Sequence, residues 1–160
     1  MDEPAPPPPR LLADAMLVGL ARWLRVLGLD AACDPSLDDS ALVDRALAEE
    51  RVILTRDRRL IERKRARNHL FIRSEVVDEQ VAQVLAELAI RPEPGLLFSR
   101  CLRCNASLEE LPAAEAARKV PPYVARTQER FRRCPACRRI YWRATHAGRM
   151  RLRLEQMGVL

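Results

Sequence analysis

The chain has 160 residues, enough for one sizeable core, or for a core of about 90 residues with a small stapled module beside it. Apolar residues make up 48%, an ordinary globular share, and no run of about 18 uncharged apolar residues exists, which excludes a membrane-spanning helix. The first ten residues, MDEPAPPPPR, put acids where an export signal needs a basic region, so a cytoplasmic protein with reduced cysteines is expected.

The net charge of +6 is unevenly divided. Residues 1–95 carry 14 Lys+Arg against 17 Asp+Glu, whereas residues 96–160 carry 14 against 5. A net of −3 is thus followed by +9. This asymmetry suits an acidic part that handles cations and a basic part that handles a polyanion; a solvated basic surface is the plainer alternative.

Residues 1–9 form a proline-rich leader, too rich in Pro for a helix. Residues 11–13 read as a strand ending at Asp14, and residues 16–27 as a helix with Met16, Leu20, Leu24 and Leu27 on its inner face, stopped by Gly28. A short strand is expected at 31–33 and a helix at 40–50 with Leu42, Ala46 and Leu47 inward. RVILT (51–55) is the clearest buried strand, and it leads to Asp57. A charged helix at 58–65, a strand at 69–72 and a helix at 78–88 complete four βα units. That order predicts a parallel sheet flanked by helices over residues 10–93. RPEPG (91–95) is a breaker cluster and marks a boundary. A small zinc ribbon with a helical insertion is expected over 96–150, and a tail over 151–160.

Cys101-x-x-Cys104 and Cys134-x-x-Cys137 carry the most specific signal. Each pair makes a tight turn that presents two thiolates, and two such turns suit a structural zinc ion with no open position for chemistry. The 29 intervening residues exceed the usual spacing of roughly 15–20, which points to an insertion around Pro112, Pro121 and Pro122. Asn105 follows the first pair, where positive φ is often needed; Arg138, after the second, fits that need less well. Redox and disulfide uses of the pairs are the alternatives. A module this poor in large apolar side chains cannot fold by burial alone, whereas zinc supplies about 10–16 kcal/mol in apparent terms. Around the second pair, RFRRCPACRRIYWR mixes arginines with aromatics, a composition suited to single-stranded nucleic acid. Phe131 and Trp142 are expected in the ribbon's own core, which leaves Arg138 and Arg139 as nucleic-acid candidates. His146 is a spare ligand, a phosphate contact or a surface residue. Cys33 is expected as a small buried apolar residue.

Asp14, Asp38, Asp39 and Asp57 all stand where a strand or loop passes into a helix. In a parallel sheet, the carboxyl ends of the strands share one edge, where ligands bind. Two carboxylates about 4 Å apart repel by about 4 kcal/mol at an effective dielectric of 20, so a hard cation such as Mg²⁺ or Mn²⁺ would be needed to keep them ionised. Capping of the following helix is the alternative, at about 1 kcal/mol per Asp.

LLADAMLVGLARWLRVLGLDA (11–31), DDSALVDRALAEERVILTRDRRLIERK (38–64) and CLRCN…CPAC…YWRATH resemble the Mut-seven C-terminal ribonuclease domain family, over about residues 10–150. The resemblance implies a PIN-like nuclease domain with an appended zinc ribbon. It further implies Mg²⁺- or Mn²⁺-dependent cleavage of RNA, with Asp14, Asp57 and Asp39 (Asp38 beside it) in an acidic cluster. Arg22, Arg25 and Arg56 match its basic positions and are expected to hold substrate phosphates. Two departures stand out: Arg73-Ser74 in place of a fourth acid, and Ala144 where a glycine is expected before Thr145-His146. The rival readings are a non-catalytic RNA-binding adaptor and a module that docks ribosomal or RNA-processing proteins. The sequence leaves the oligomeric state open.

Overall fold

The computed structural model describes residues 4–143 and 145–160, Thr145 by its backbone alone; the leader acids Asp2 and Glu3 and the Ala144 departure lie outside the described residues. The first part runs β1 (Arg10–Ala13), a 3-10 turn (Ala15–Leu17), α1 (Val18–Val26), β2 (Ala31–Cys33), α2 (Asp39–Ala48), β3 (Arg51–Thr55), α3 (Arg58–Ile61), β4 (His69–Phe71) and α4 (Val77–Glu87). Its strands form one parallel sheet in the order β2-β1-β3-β4. The fold is therefore α/β, with helices on both sides.

The alternation of side chains along each strand decides which helix covers which face. Leu11, Ala13, Ala31, Val52 and Leu54 pack under α1 and α4, against Leu20, Leu24, Val81 and Val84. Leu12, Ala32 and Ile53 point the other way, to Leu42, Val43 and Ala46 of α2 and Leu60 of α3. Every residue of β3 is buried, as expected of a central strand covered on both faces. Gly28 stops α1 with φ +83°, and a Cβ there would meet the Leu96 carbonyl oxygen at 2.3 Å. Only glycine lets the segment after the breaker cluster cross so close.

Three helix expectations are corrected. Met16 is 73% exposed and Leu17 is buried in its place. The opening turn is 3-10, with about 3.0 rather than 3.6 residues per turn, and this shifts the inner face by one position. In α2 the inward stripe is Leu42, Val43 and Ala46, with Leu47 exposed. The charged helix ends at Ile61 instead of 65. Glu62, Arg63, Lys64 and Arg65 are all exposed, so a continued helix would have no apolar face to bury until Ala66.

The second part has β5 (Glu109–Leu111), α5 (Ala113–Ala116), α6 (Pro122–Thr127), β6 (Phe131–Arg133), β7 (Ile140–Trp142) and α7 (Thr145–Gln156). The three strands are antiparallel in the order β5-β6-β7. Their core is small: Leu111, Ala116, Val124 and Phe131, with Val120, Ile140 and Trp142 half-buried against it. Phe131 and Trp142 thus pack where the sequence places them. Helix α7 spans the position 150/151 at which a tail is expected to begin. Its Leu154 is fully buried in the core under α1 and α4, and Arg153 stacks over the Trp23 ring at 4.9 Å while pairing with Asp78 at 2.6 Å. None of the helices among the described residues is long and apolar enough to cross a membrane.

Candidate functional site

The carboxyl-end edge of the parallel sheet carries the acids, after three of its four strands. Asp14 follows β1, Asp57 follows β3, and Asp38 and Asp39 follow β2 at the start of α2. Asp14 is buried. One of its carboxylate oxygens accepts the Met16 N–H at 3.0 Å, and the other accepts the Thr55 hydroxyl. The Thr55 Oγ1 in turn accepts the Asp57 N–H at 2.9 Å, so a single buried hydroxyl joins the ends of two neighbouring strands. Asp57 caps α3 through the Arg59 N–H at 2.9 Å, and Asp38 caps α2 through the Ala41 N–H at 2.8 Å. Asp39 is half-exposed and pairs with Arg63 at 3.5 Å.

The acids thus share one edge, and Asp14 and Asp57 are linked through Thr55. They are not gathered into one tight cluster: among the described residues, the four cysteines are the group of three or more potential ligands whose donor atoms lie within 4.8 Å of one another. The donor set is nonetheless of the right chemistry for a hard cation. Mg²⁺ keeps several waters and is usually held by one or two carboxylates plus substrate phosphates, so two carboxylates at one sheet edge are of a kind that could serve. Thr55 gives only a faint sequence signal, a hydroxyl closing a buried strand two residues before an acid.

The arginines fall into two groups. Arg22 on α1 and Arg138 and Arg139 on the second cysteine turn are exposed. Arg56 and Arg25 are engaged within the protein. Arg56 donates to the Ile72 and Arg73 carbonyls at 3.0 and 2.7 Å and pairs with Glu75 at 3.5 Å. Arg25 is 7% exposed, and donates to the carbonyls of Ala31 (2.8 Å), Leu102 (2.8 Å) and Arg103 (3.2 Å). Its guanidinium faces backbone oxygens of the first cysteine turn, not solvent.

Cys101, Cys104, Cys134 and Cys137 bring their sulfurs together from the two turns. The Cys101–Cys137 separation of 3.7 Å matches the sulfur spacing of about 3.8 Å that follows from tetrahedral Zn–S bonds of about 2.3 Å. The turns are built alike. The Cys104 N–H points at the Cys101 sulfur (3.3 Å) and the Cys137 N–H at the Cys134 sulfur (3.4 Å). Asn105 and Arg138 both adopt left-handed backbone, φ 67° and 63°, so the second turn carries an arginine where the rule disfavours one. Burial pushes the Cys101 thiol up, but the Tyr141 hydroxyl at 3.1 Å and the turn's own N–H groups pull it down to about 7. Cys104, donating toward Cys137, part-desolvated and beside the Cys101 charge, is pushed up to about 12. Four thiolates crowded in this way need a cation to ionise together, and the donor set fits Zn²⁺. His146 is exposed on α7 and outside this group.

The two sites are wired to each other at β2. The Asn105 side chain accepts the Ala31 N–H at 2.9 Å and donates to Asp30 at 2.7 Å, while Arg25 reaches from Ala31 to the first turn. Cys33, at the end of β2, points its thiol at the Asp14 carbonyl at 3.6 Å. Burial pushes that thiol up, Arg25 opposing and Asp14 and Asp34 adding to it, so Cys33 is no activated nucleophile.

Against known proteins, a family model described as the Mut7-C RNAse domain matches residues 9–154, nearly the whole chain. No curated protein and no solved structure matches.

Proposed function

Because the chain belongs to the Mut7-C RNAse domain family, we propose that it is a metal-dependent ribonuclease whose active site is the acidic edge of the parallel sheet. The single observation that carries this reading is the Asp14–Thr55–Asp57 linkage at the ends of β1 and β3. Asp14 and Asp57 would hold Mg²⁺ or Mn²⁺, with Asp39 and Asp38 completing the acidic edge from the neighbouring strand. Such an ion supplies the charge that activates water and steadies the leaving oxygen of a phosphodiester.

Thr55 would hold Asp14 in one orientation and fix the main chain at Asp57, so that neither carboxylate has to reorganise on binding. Arg22 is exposed and suited to a substrate phosphate. Arg56 would act from its place on the Ile72 and Arg73 carbonyls just after β4, beside the acids, and Arg25 would position β2 instead of touching substrate. Arg138 and Arg139 would meet the strand on the ribbon. The expected products carry a 5′-phosphate and a 3′-hydroxyl. Residues 10–93 would form the catalytic part, and 96–150 a ribbon folded on Zn²⁺ in the cytoplasm, assisting RNA or protein partners.

The test is cleavage of a labelled single-stranded RNA by zinc-loaded protein in Mn²⁺ or EDTA, for wild type and Asp14→Asn/Asp57→Asn. Cutting in Mn²⁺ alone, abolished in the variant with folding intact, is the expected result. Cutting that persists in EDTA overturns the metal-dependent reading. One observation favours a second reading: Asp14, Asp38 and Asp57 each cap a helix, as they would in an RNA-binding adaptor without catalysis. That reading expects RNA binding without cutting, identical in both proteins.

A further inference from the structure

Between the ribbon sheet and α7 lies a cleft of about 360 Å³ that the acidic edge does not use. Its lining includes five arginines and neither Asp nor Glu. Arg100 is committed to the Gly28 and Asn105 carbonyls. Arg130 and Arg132 share one exposed acid, Glu110, at 3.6 and 3.5 Å. Arg151 meets Glu155 of its own helix at 3.6 Å, and Arg143 is exposed with no ion pair among the described residues. Surface pairs of this kind hold loosely and give way to a better anion.

The same walls are aromatic. Trp142 and Tyr141 come from β7, and Phe98 from the segment that crosses Gly28. Tyr141 is anchored by its hydroxyl on Cys101 and the Leu102 N–H, so the cysteine centre sets the cleft's floor. Phe98 has φ 59°, a left-handed backbone rarely tolerated by a bulky residue, and its ring packs in part against the main core beside the cleft. Arginines and half-buried aromatic side chains lining one cleft are the components that take single-stranded nucleic acid, with arginines on phosphates and rings on bases. The volume lies at the small end of ligand pockets, about 300–1,000 Å³.

We propose that this cleft is a binding site for one unpaired nucleotide of an RNA strand, its base against Trp142 and its phosphates on Arg143 and Arg151. The choice of RNA rests on the ribonuclease reading; the preference for an anion with an aromatic face rests on the cleft alone. The site would grip the strand apart from the cutting edge and so favour unpaired substrate.

The experiment uses the full zinc-loaded chain carrying Asp14→Asn/Asp57→Asn and a labelled RNA of about ten unpaired nucleotides. Arg143→Ala/Arg151→Ala is expected to weaken binding about tenfold and to flatten the salt dependence of log K by about 1.4, at about 0.7 per phosphate contact on a single strand. In a Trp23→Phe background, where Trp142 is the remaining tryptophan, RNA is expected to quench its emission. Unchanged affinity and slope in the arginine variant, or emission indifferent to RNA, overturns the proposal. So does an oligoglutamate peptide that competes as well as RNA at equal ionic strength, since the cleft would then take acidic protein segments. The two readings fail separately. A chain that binds RNA here and never cuts it keeps the cleft and loses the nuclease. A chain whose cutting is unchanged by Arg143→Ala/Arg151→Ala keeps the nuclease and loses the cleft.

Discussion

The two parts of the molecule are held by different forces. The parallel sheet buries leucines, valines and alanines on both faces, and this apolar burial is its main support. The ribbon has four buried core residues and four cysteines whose sulfurs lie close enough together to hold a zinc ion. The difference teaches that a module short of apolar side chains can lean on a larger core through a joint that combines hydrogen bonds with buried apolar contacts. Here the joint is Arg25 and Asn105 at β2, with α7 returning to the main core.

Removing the metal is the strongest way to break the comparison. Zinc binding is worth about 10–16 kcal/mol in apparent terms for modules of this size. Hydrogen exchange on chelated protein should show amides of 99–142 losing protection while β1, β3 and α4 keep theirs. Simultaneous loss in both parts would mean that the sheet also depends on the ion. Next in size is the joint itself. Arg25→Ala leaves three carbonyls without their charged donor and should cost about 1.5–3 kcal/mol in denaturant unfolding. Arg25→Met, of similar length and without charge, should fail to restore it.

The smallest effect is electrostatic. Burial pushes the Asp30 carboxyl up, but hydrogen bonds from Arg51, Asn105 and Arg10 outweigh it and hold the group below its usual range. A depressed folded value means that Asp30 stabilises the protein fully above its unfolded value of about 3.9, and that this contribution is lost as pH falls through the folded value. The stability gap between wild type and Asp30→Asn should therefore be constant near neutrality and narrow below about pH 4. A gap that persists unchanged into acid would remove Asp30 from the joint.

Much of this was legible in the chain. RVILT announces a central strand because its residues suit burial on two faces, and the acids announce the sheet edge because each stands where a strand or loop passes into a helix. Paired CxxC needs only local spacing to be read. What stayed hidden depends on partners distant in sequence. Arg25 resembles a substrate arginine until the Leu102 carbonyl, 77 residues on, is found beneath it. Thr55 looks like a plain strand residue until Asp14 is placed next to it. The 12-residue α7 is arginine-rich, and Met150 and Leu154, which pack it on the core, give too little periodicity to be noticed.

One consequence follows from the placement of Asn105 and Arg25. Strand β2 is the last in its sheet, and an unpaired outer strand is a template on which another chain can add. Its outward N–H and C=O at Ala31 are the two groups that Asn105 and Arg25 occupy. The first cysteine turn is therefore a cover as well as a metal ligand. When it loosens, the Ala31 N–H and C=O lose these partners, so chelated protein is expected to self-associate, which light scattering before and after chelation would show.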